Sequence, residues 1–383
     1  MSLFLITFLT LYGSMHAYAF LRLSSAYHPS RAGAYIIGVL FVLMTVAPLL
    51  IRLCEWNGFA RSATTIAWIG YVWMGTLFLL CSALLATDIV RMAGWGICRM
   101  SGSDLPILLG ARHTFNIALV LSLSATIYSF FEARNINTEQ FTVTTAKLPP
   151  SSSRIRIVQI SDVHLGLLVR EYRLKSILAQ VKAAKPDILV STGDLLDGRL
   201  NRQGTLDVHG ELAQMLASIK APLGKFAVTG NHEFYAGIDQ AIAFTSKSGF
   251  RMLRGATAAA GPLSFTGVDD PAVLNTGEPA GLPESTLLRA VERGRFKILL
   301  KHRPEIDQKS DGLFDLQLSG HAHKGQIFPF TLLVRLKYPV IDGTATTAAG
   351  AQLHVSRGSG TWGPPLRFMA PPEVTIIDVV PAD

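Results

Sequence analysis

The chain has 383 residues, of which 49% are hydrophobic and 16% are charged, and its formal net charge is +8. This composition is too apolar for an ordinary soluble protein. The basic residues are scattered and lack interleaved aromatic residues, which argues against a nucleic-acid-binding protein and favours a solvated surface or contact with anionic lipid.

Charged and apolar residues are unevenly distributed along the chain. Charges are sparse up to about residue 140 and the first lysine is Lys147, whereas charged residues are frequent after it. Cys54, Cys81 and Cys98 lie in the apolar half, are odd in number and lack C-x-x-C spacing, so they indicate no disulfide framework. We predict a transmembrane helical region at 1–134, a polar linker at 135–153 and a second domain at 154–383.

The apolar half contains four stretches long enough to cross the hydrocarbon core of a bilayer as helices. Arg residues lie at or between their ends and Trp residues lie nearby, as expected of interfacial anchors. An alternative for the first stretch is a cleaved signal peptide ending near Ala17-Tyr18-Ala19, but no Lys or Arg precedes it and three more stretches follow. The prediction is a multi-pass protein of the cell membrane, with about four spans at 3–23, 33–51, 64–90 and 106–131.

The side of the membrane on which the second domain lies is not determined by the charges. Arg22 and Arg31 flank the first loop, and Arg52 and Arg61 flank the second, so the positive-inside rule selects neither face. An even number of spans places both termini on the same face. Which face that is stays open.

From residue 154 the pattern alternates between short apolar stretches and stretches with helical spacing, which favours an α/β fold. Each of five predicted strands ends on residues of metal-binding type. In open α/β sheets, sites are built at the carboxyl edge of the strands. We predict strands at 155–160, 187–192, 225–229, 296–300 and 316–319, with helices at 173–184 and 210–219.

The strand ends supply a mixed set of oxygen and nitrogen ligands. They comprise one Asp-x-His, one Gly-Asp, one Gly-Asn-His and two further His-containing ends, more than one tetrahedral ion uses. Two ions sharing a carboxylate fit this number; such a pair clamps a phosphoryl group and lowers the pKa of a bridging water so that hydroxide attacks in line. Each motif alone is common, but five of the seven histidines after Phe141 lie in these motifs, so their joint occurrence is informative. The predicted reaction class is phosphate-ester hydrolysis.

With these motifs identified, residues 154–380 resemble the calcineurin-like metallophosphoesterase superfamily. The matching segments are D-V-H at 162–164, G-D-L-L-D at 193–197, G-N-H-E at 230–233, the end at His302 and G-H-A-H at 320–323. The segment V-S-R-G-S-G-T-W-G-P-P-L-R-F-M-A-P-P-E-V at 355–374 is similar to that of membrane-associated bacterial phosphodiesterases. The resemblance implies a four-layer αββα sandwich that holds a dinuclear metal centre.

The resemblance also implies a role for each motif residue. His232 would contact the phosphate or protonate the leaving oxygen, oriented by Asp197, and a structural hydrogen bond is the alternative for His232. Asp194 would bridge two divalent ions, for which Mn, Fe, Zn or Mg are all compatible with the ligand types. The remaining implied ligands are Asp162, His164 and His323 for one ion, and Asn231, His302 and His321 for the other.

Two positions depart from the family pattern. Lys324 stands where two glycines usually precede Gln326, so it either crowds the backbone or reaches a substrate phosphate. Gly198 stands where the protein Ser/Thr phosphatases carry an arginine, which weakens a phosphoprotein assignment. The candidate phosphate contacts, each with a solvated surface side chain as the alternative, are Arg199, Arg303, Arg357 and Arg367.

The leading hypothesis is a membrane-anchored, dinuclear metal-dependent phosphoesterase that hydrolyses a phosphodiester or pyrophosphate of a lipid or lipid-linked molecule. The expected partners are the lipid bilayer and the phosphoester substrate. One alternative is a membrane receptor or scaffold that binds metal without catalysis. Another is a metallonuclease or nucleotide phosphodiesterase on the same fold, which would require a contiguous basic groove that the scattered Lys and Arg do not indicate.

Overall fold

The computed structural model describes residues 3–102, 110–198, 207–279 and 281–382. These residues form two compact units. The first contains the residues up to Phe131 together with Gly363–Leu366, and the second contains Glu132–Trp362 and the residues from Arg367 onward.

The N-terminal region is helical. In the part of the chain that is described, three helices are long and apolar enough to cross a membrane: α2, α3 and α4. The Arg22 guanidinium on α1 pairs with the Asp88 carboxylate on α3 at 3.0 Å, which ties these two helices together. The four helices are α1 Leu3–Tyr27, α2 Arg31–Trp56, α3 Ala60–Ser101 and α4 Ala111–Glu132.

The predicted spans agree with these helices only in part. The first, 3–23, lies within α1, which spans Leu3–Tyr27. The third, 64–90, lies within a helix of 42 residues that continues to Ser101, because the charge at Arg91 ends the apolar stretch without ending the helix. The fourth, 106–131, begins among residues outside the described ones.

The second unit contains two six-stranded sheets. The first has the strand order β1-β12-β2-β3-β4-β5 and the second the order β10-β11-β9-β8-β7-β6. The strands are β1 Asn137–Thr145, β2 Ile155–Ile160, β3 Ile188–Ser191, β4 Gly224–Ala227, β5 Arg251–Met252, β6 Ala256–Ala260, β7 Leu263–Gly267, β8 Phe296–Leu300, β9 Leu316–Ser319, β10 Gly343–Thr346, β11 Gln352–Val355 and β12 Glu373–Pro381. The helices are α5 Glu171–Ala184, α6 Asp207–Ala217, α7 Asn231–Ala236, α8 Ile238–Lys247, α9 Glu284–Ala290 and α10 Phe330–Lys337, with 3-10 helices at Pro271–Asn275 and His323–Gly325.

The apolar clusters show that the sheets and helices form four layers. Inward-facing residues of both sheets, such as Ile157 and Phe265, share one buried cluster between the sheets. The other face of the first sheet packs through Val158 on Leu174 of α5 and on α6 and α8. On the second sheet, Leu299 packs with Leu288 of α9, and α10 packs near β11. The prediction of an αββα sandwich is confirmed.

The prediction that 135–153 is a linker is wrong for its first half. Asn137–Thr145 form β1, which pairs in parallel with β12 from Asn137↔Glu373 to Thr145↔Pro381. The partner strand lies more than 200 residues away, and partly buried side chains alternate with exposed ones along most of β1, so the local sequence has the composition of a polar linker. The strands and helices predicted after residue 154 coincide with observed elements to within a few residues.

Candidate metal centre

The five predicted strand ends meet at one edge of the sandwich. Parallel neighbours β2, β3 and β4 end together, as do β8 and β9. Backbone hydrogen bonds join the loops that follow: the Asp162 amide donates to the Gly193 carbonyl at 3.0 Å, and the His164 amide to the Asp194 carbonyl at 3.0 Å. The His302 imidazole crosses from the second sheet and hydrogen-bonds through Nδ1 to the Thr192 carbonyl at 2.8 Å.

Six of the seven predicted ligands fall into two groups of three. Within each group, one ligand atom from every residue lies within 4.8 Å of the others. We call them the Asp162 group, which contains Asp162, His164 and His323, and the Asp194 group, which contains Asp194, His302 and His321. This grouping matches the division between two ions that the family resemblance implies. A further set with the same spacing joins His164 to Asp197 and His232.

One carboxylate oxygen lies between the two groups. Asp194 Oδ2 is 3.2 Å from His302 Nε2 in its own group and 3.8 Å from His164 Nε2 in the other. The other oxygen, Oδ1, accepts a hydrogen bond from the His232 amide at 2.8 Å. The position of Asp194 is therefore the one expected for a shared ligand.

Two buried polar atoms at the site fit a cation. Among the described residues, Asn231 Oδ1 and His164 Nδ1 are buried without a hydrogen-bond partner. A buried amide oxygen left unpaired is costly, and a metal ion is one of the groups that satisfy it. Asn231 is the seventh predicted ligand and the first residue of α7.

The charges at the site also fit a cation. Burial opposes ionisation of Asp194, but neighbouring His302 and His232 hold the pKa of its carboxyl well below the ordinary value. Burial and the charges of neighbouring histidines together lower the pKa of His164 to about 3 and that of His321 to about 4. Ionised carboxylates and neutral imidazoles are the forms that bind metal ions. Against the effect of burial, the Asp194 charge raises the pKa of His302 to about 10, so this ring would release a proton on binding an ion.

The backbone is strained where the ligands lie. Five of the seven have left-handed backbone angles, with φ between 47° and 68°: Asp162, His164, Asp194, His321 and His323. Non-glycine residues in this conformation cluster at functional sites. Among the glycines of the motifs, Gly193 turns the chain with φ 96°, whereas Gly230 and Gly320 are needed for space, since a Cβ there would meet an aspartate oxygen at 2.1 or 2.2 Å.

His232 and Asp197 form the predicted pair beside the ligands. His232 Nδ1 lies 2.9 Å from Asp197 Oδ1. Burial opposes the charged imidazole, but the Asp194 charge and the hydrogen bond to Asp197 raise the pKa of His232 to about 9. The imidazole is therefore protonated at neutral pH and can donate a proton.

The predicted phosphate contacts already have protein partners. Arg303 forms two hydrogen bonds with Asp270, Lys324 pairs with Asp342 at 2.9 Å, and Arg357 pairs with Glu373 at 2.7 Å. Their contact with substrate stays a prediction.

Two other arginines were candidate phosphate contacts. Arg367 is fully buried, and its guanidinium donates to backbone carbonyls and to His323 Nδ1 at 2.9 Å. The prediction of a phosphate contact is wrong for Arg367, because a buried side chain with these acceptors cannot reach solvent. Arg199 lies outside the described residues.

Sequence reasoning missed three residues of the site. The buried Glu233 carboxylate accepts hydrogen bonds from the amides of Asp194, Leu195, Leu196 and Gly230, at distances from 2.6 to 3.2 Å. Glu233 thus shapes the loop that carries Asp194, and its place in the G-N-H-E motif was the available signal. Tyr235 and Trp362 are about half exposed, with ring centroids 5.4 and 6.0 Å from that of His232, and no local pattern indicated either.

The chain is similar in sequence to known metallophosphoesterases. Residues 155–325 match a family model described as calcineurin-like phosphoesterase. An uncharacterized metallophosphoesterase of Aquifex aeolicus is 42% identical over 255 residues, which span 66% of this chain and 95% of that protein. One from Campylobacter jejuni is 30% identical over 298 residues, spanning 77% of this chain and 76% of that protein.

A relative from Danio rerio is named as a transmembrane protein with metallophosphoesterase domain. It is 26% identical over 322 residues, which span 79% of this chain and 71% of that protein. Together with the three apolar helices, this similarity indicates that the chain is membrane-associated.

Proposed function

Because this chain belongs to the calcineurin-like metallophosphoesterases, we propose that it is a membrane-anchored, dinuclear metal-dependent phosphoesterase. Its substrate is a phosphodiester or pyrophosphate of a lipid or lipid-linked molecule. The observation that carries the proposal is the position of Asp194 Oδ2, which faces His302 at 3.2 Å and His164 at 3.8 Å where the two ligand groups meet.

The two ligand groups would hold one divalent ion each, with Asn231 completing the Asp194 group. Bound ions supply Lewis-acid stabilisation of a phosphoryl oxygen and lower the pKa of a bound water. Carboxylates, imidazoles and an amide oxygen suit Mn, Fe, Zn and Mg. The protein's own contribution is to hold these ligands in place through the strained loops and through Glu233.

His232 acts as the proton donor in the proposed reaction. With a pKa of about 9 the imidazole carries a proton at neutral pH, and Asp197 holds Nδ1 at 2.9 Å so that Nε2 is free for the substrate. Transfer of that proton to the leaving oxygen avoids the release of an alkoxide. The ring is only 8% exposed, so water competes weakly for this proton.

The lipid part of the proposal is supported by the three apolar helices. A catalytic domain attached to them meets amphiphilic substrates at a raised effective concentration.

The test is hydrolysis by the purified full chain in lipid nanodiscs loaded with Mn²⁺. We expect turnover of a lipid phosphoester and of a chromogenic phosphodiester, loss of both with a chelator, and loss of turnover without loss of metal in His232→Gln. Bound metal with no turnover of either compound would contradict the enzyme proposal and favour a scaffold. Hydrolysis of DNA or RNA alone would contradict the lipid substrate.

A further inference from the structure

Helix α10, Phe330–Lys337, is apolar on two opposite faces. Its inner face packs on the second unit: Thr331 is buried, and Val334 contacts the cluster that includes Leu353 and Val355. The residue after the helix, Tyr338, belongs to the same buried cluster. These contacts fix the rotation of the helix about its axis.

The outer face consists of three leucines. Leu332, Leu333 and Leu336 are 57%, 57% and 84% exposed, and we call them the leucine face. At 3.6 residues per turn they lie within an arc of roughly 100°, centred opposite the inner face. A row of three leucines directed at water is unfavourable, so the leucine face calls for an apolar neighbour.

Basic residues border the leucine face on both sides. The helical positions of Arg335 and Lys337 place one at each edge. Arg335 is exposed and has no ion pair among the described residues, whereas Lys337 lies 3.2 Å from Glu305 with its side chain 68% exposed. Phe328 and Phe330 precede the face and are 38% and 45% exposed.

Two longer helices of the second unit, α5 and α8, do not have a row of exposed leucines. The exposed positions of α5 include Lys175 and Lys182, and those of α8 include Ser246 and Lys247. Both helices bury their apolar side chains in the cluster beneath them. The leucine face is therefore a local property of α10 and not a general feature of the outer layers.

We propose that the leucine face of α10 lies in the headgroup region of an anionic phospholipid bilayer. A helix with leucines on one face and cations at its edges has the features of an interfacial membrane helix. A bilayer is the occupant because the same chain carries three helices long and apolar enough to cross one. Arg335 and Lys337 contact the lipid phosphates.

Docking of α10 also places part of the metal centre near lipid, an extension that depends on the proposed function. Thr331 Oγ1 donates to the Lys324 carbonyl at 2.8 Å, and Lys324 follows the predicted ligand His323. A Cβ on Gly325 would meet Thr331 Cα at 2.5 Å, so the helix and the ligand turn are in direct contact. A lipid phosphoester held by the bilayer would therefore meet the site beside α10.

The test measures lipid contact of a fluorophore on the leucine face. In the full chain with Cys54, Cys81 and Cys98 replaced by serine, Leu336→Cys carries an environment-sensitive label, and the matched control is Ser246→Cys on α8. In phosphatidylglycerol nanodiscs that contain doxyl-labelled lipid, we expect quenching at least about threefold stronger at position 336 than at 246. Equal quenching at the two positions overturns the proposal.

Two further measurements test the role of the cation and distinguish lipid contact from self-association. Arg335→Glu in the labelled protein should weaken quenching in phosphatidylglycerol but not in phosphatidylcholine, and no change in either lipid overturns the role of the cation. If the label at position 336 is shielded from water only in nanodiscs that hold two copies of the chain, the leucine face is a self-association surface, and lipid docking is overturned. None of these readouts requires turnover, so failure of lipid docking is distinguishable from failure of the phosphoesterase proposal.

Discussion

The Asp162 group and the Asp194 group offer nearly the same side chains, but the protein holds their histidines differently. In the Asp194 group, His302 Nδ1 lies 2.8 Å from the Thr192 carbonyl and therefore donates its proton to it. Its Nε2 lies 3.2 Å from Asp194 Oδ2, and although burial opposes a charged ring, the Asp194 charge and this hydrogen bond raise the pKa of His302 to about 10. A cation that replaces the Nε2 proton leaves a neutral ring that still donates to the Thr192 carbonyl.

In the Asp162 group the arrangement is reversed. The buried Arg367 guanidinium, which can only donate, contacts His323 Nδ1 at 2.9 Å. A neutral His323 ring therefore carries its proton on Nε2, which lies 3.3 Å from Asp162 Oδ1. Binding of a cation through Nε2 would displace this proton, and the Arg367 charge lies close by. The same residue type at two strand ends thus gives ligands of unequal readiness.

Asp194→Ala should have the largest effect, because this carboxylate faces both groups. We expect hydrolysis to fall by about a thousandfold or more, since charge stabilisation by both ions is weakened. Turnover and metal content are measured together on the same preparation. Asp239→Ala, at an exposed carboxylate on α8, is the control and should retain both.

Glu233→Gln should disturb the Asp194 group and leave the Asp162 group intact. A glutamine side chain has only one acceptor oxygen. Its NH₂ group would face backbone N–H groups that now donate to the carboxylate. We expect a loss of roughly 3 kcal/mol in the free energy of unfolding and about a hundredfold loss of activity. Thermal unfolding and turnover are compared with Glu292→Gln, whose side chain is 72% exposed. An unchanged melting temperature would contradict this role for Glu233.

Asp197→Asn tests His232, the proposed proton donor, whose backbone amide donates to Asp194 Oδ1. The hydrogen bond to Asp197 raises the pKa of His232, and activity that requires the protonated ring is lost as the pH rises through that pKa. Removing the charge lowers this pKa, so the alkaline limb of the kcat/KM profile should move to lower pH, with about a tenfold loss near neutrality. A profile with an unmoved alkaline limb would assign His232 a structural role.

The side chains that meet at the candidate site could be selected from the sequence because each one follows a short apolar strand and belongs to a recognisable motif. Other features depend on contacts between distant parts of the chain. The role of Glu233 arises from amides about 38 residues away, and β1 is stabilised by a strand at the other end of the domain. Arginine is a residue type that often contacts phosphate at a protein surface, and only the fold shows that Arg367 is buried beside His323. Local patterns therefore indicate which side chains are candidate ligands, but not which contacts orient them.

The central claim is tested most directly by a titration of the purified full chain with Mn²⁺, in which the signal of the unbound ion is measured. We expect two ions per chain, bound in two steps about tenfold apart in affinity, because the rings are oriented by different partners. His302→Ala should remove the tighter step, and His323→Ala only the weaker one. Binding of no ion or of a single ion, or loss of the tighter step in His323→Ala, would contradict the account.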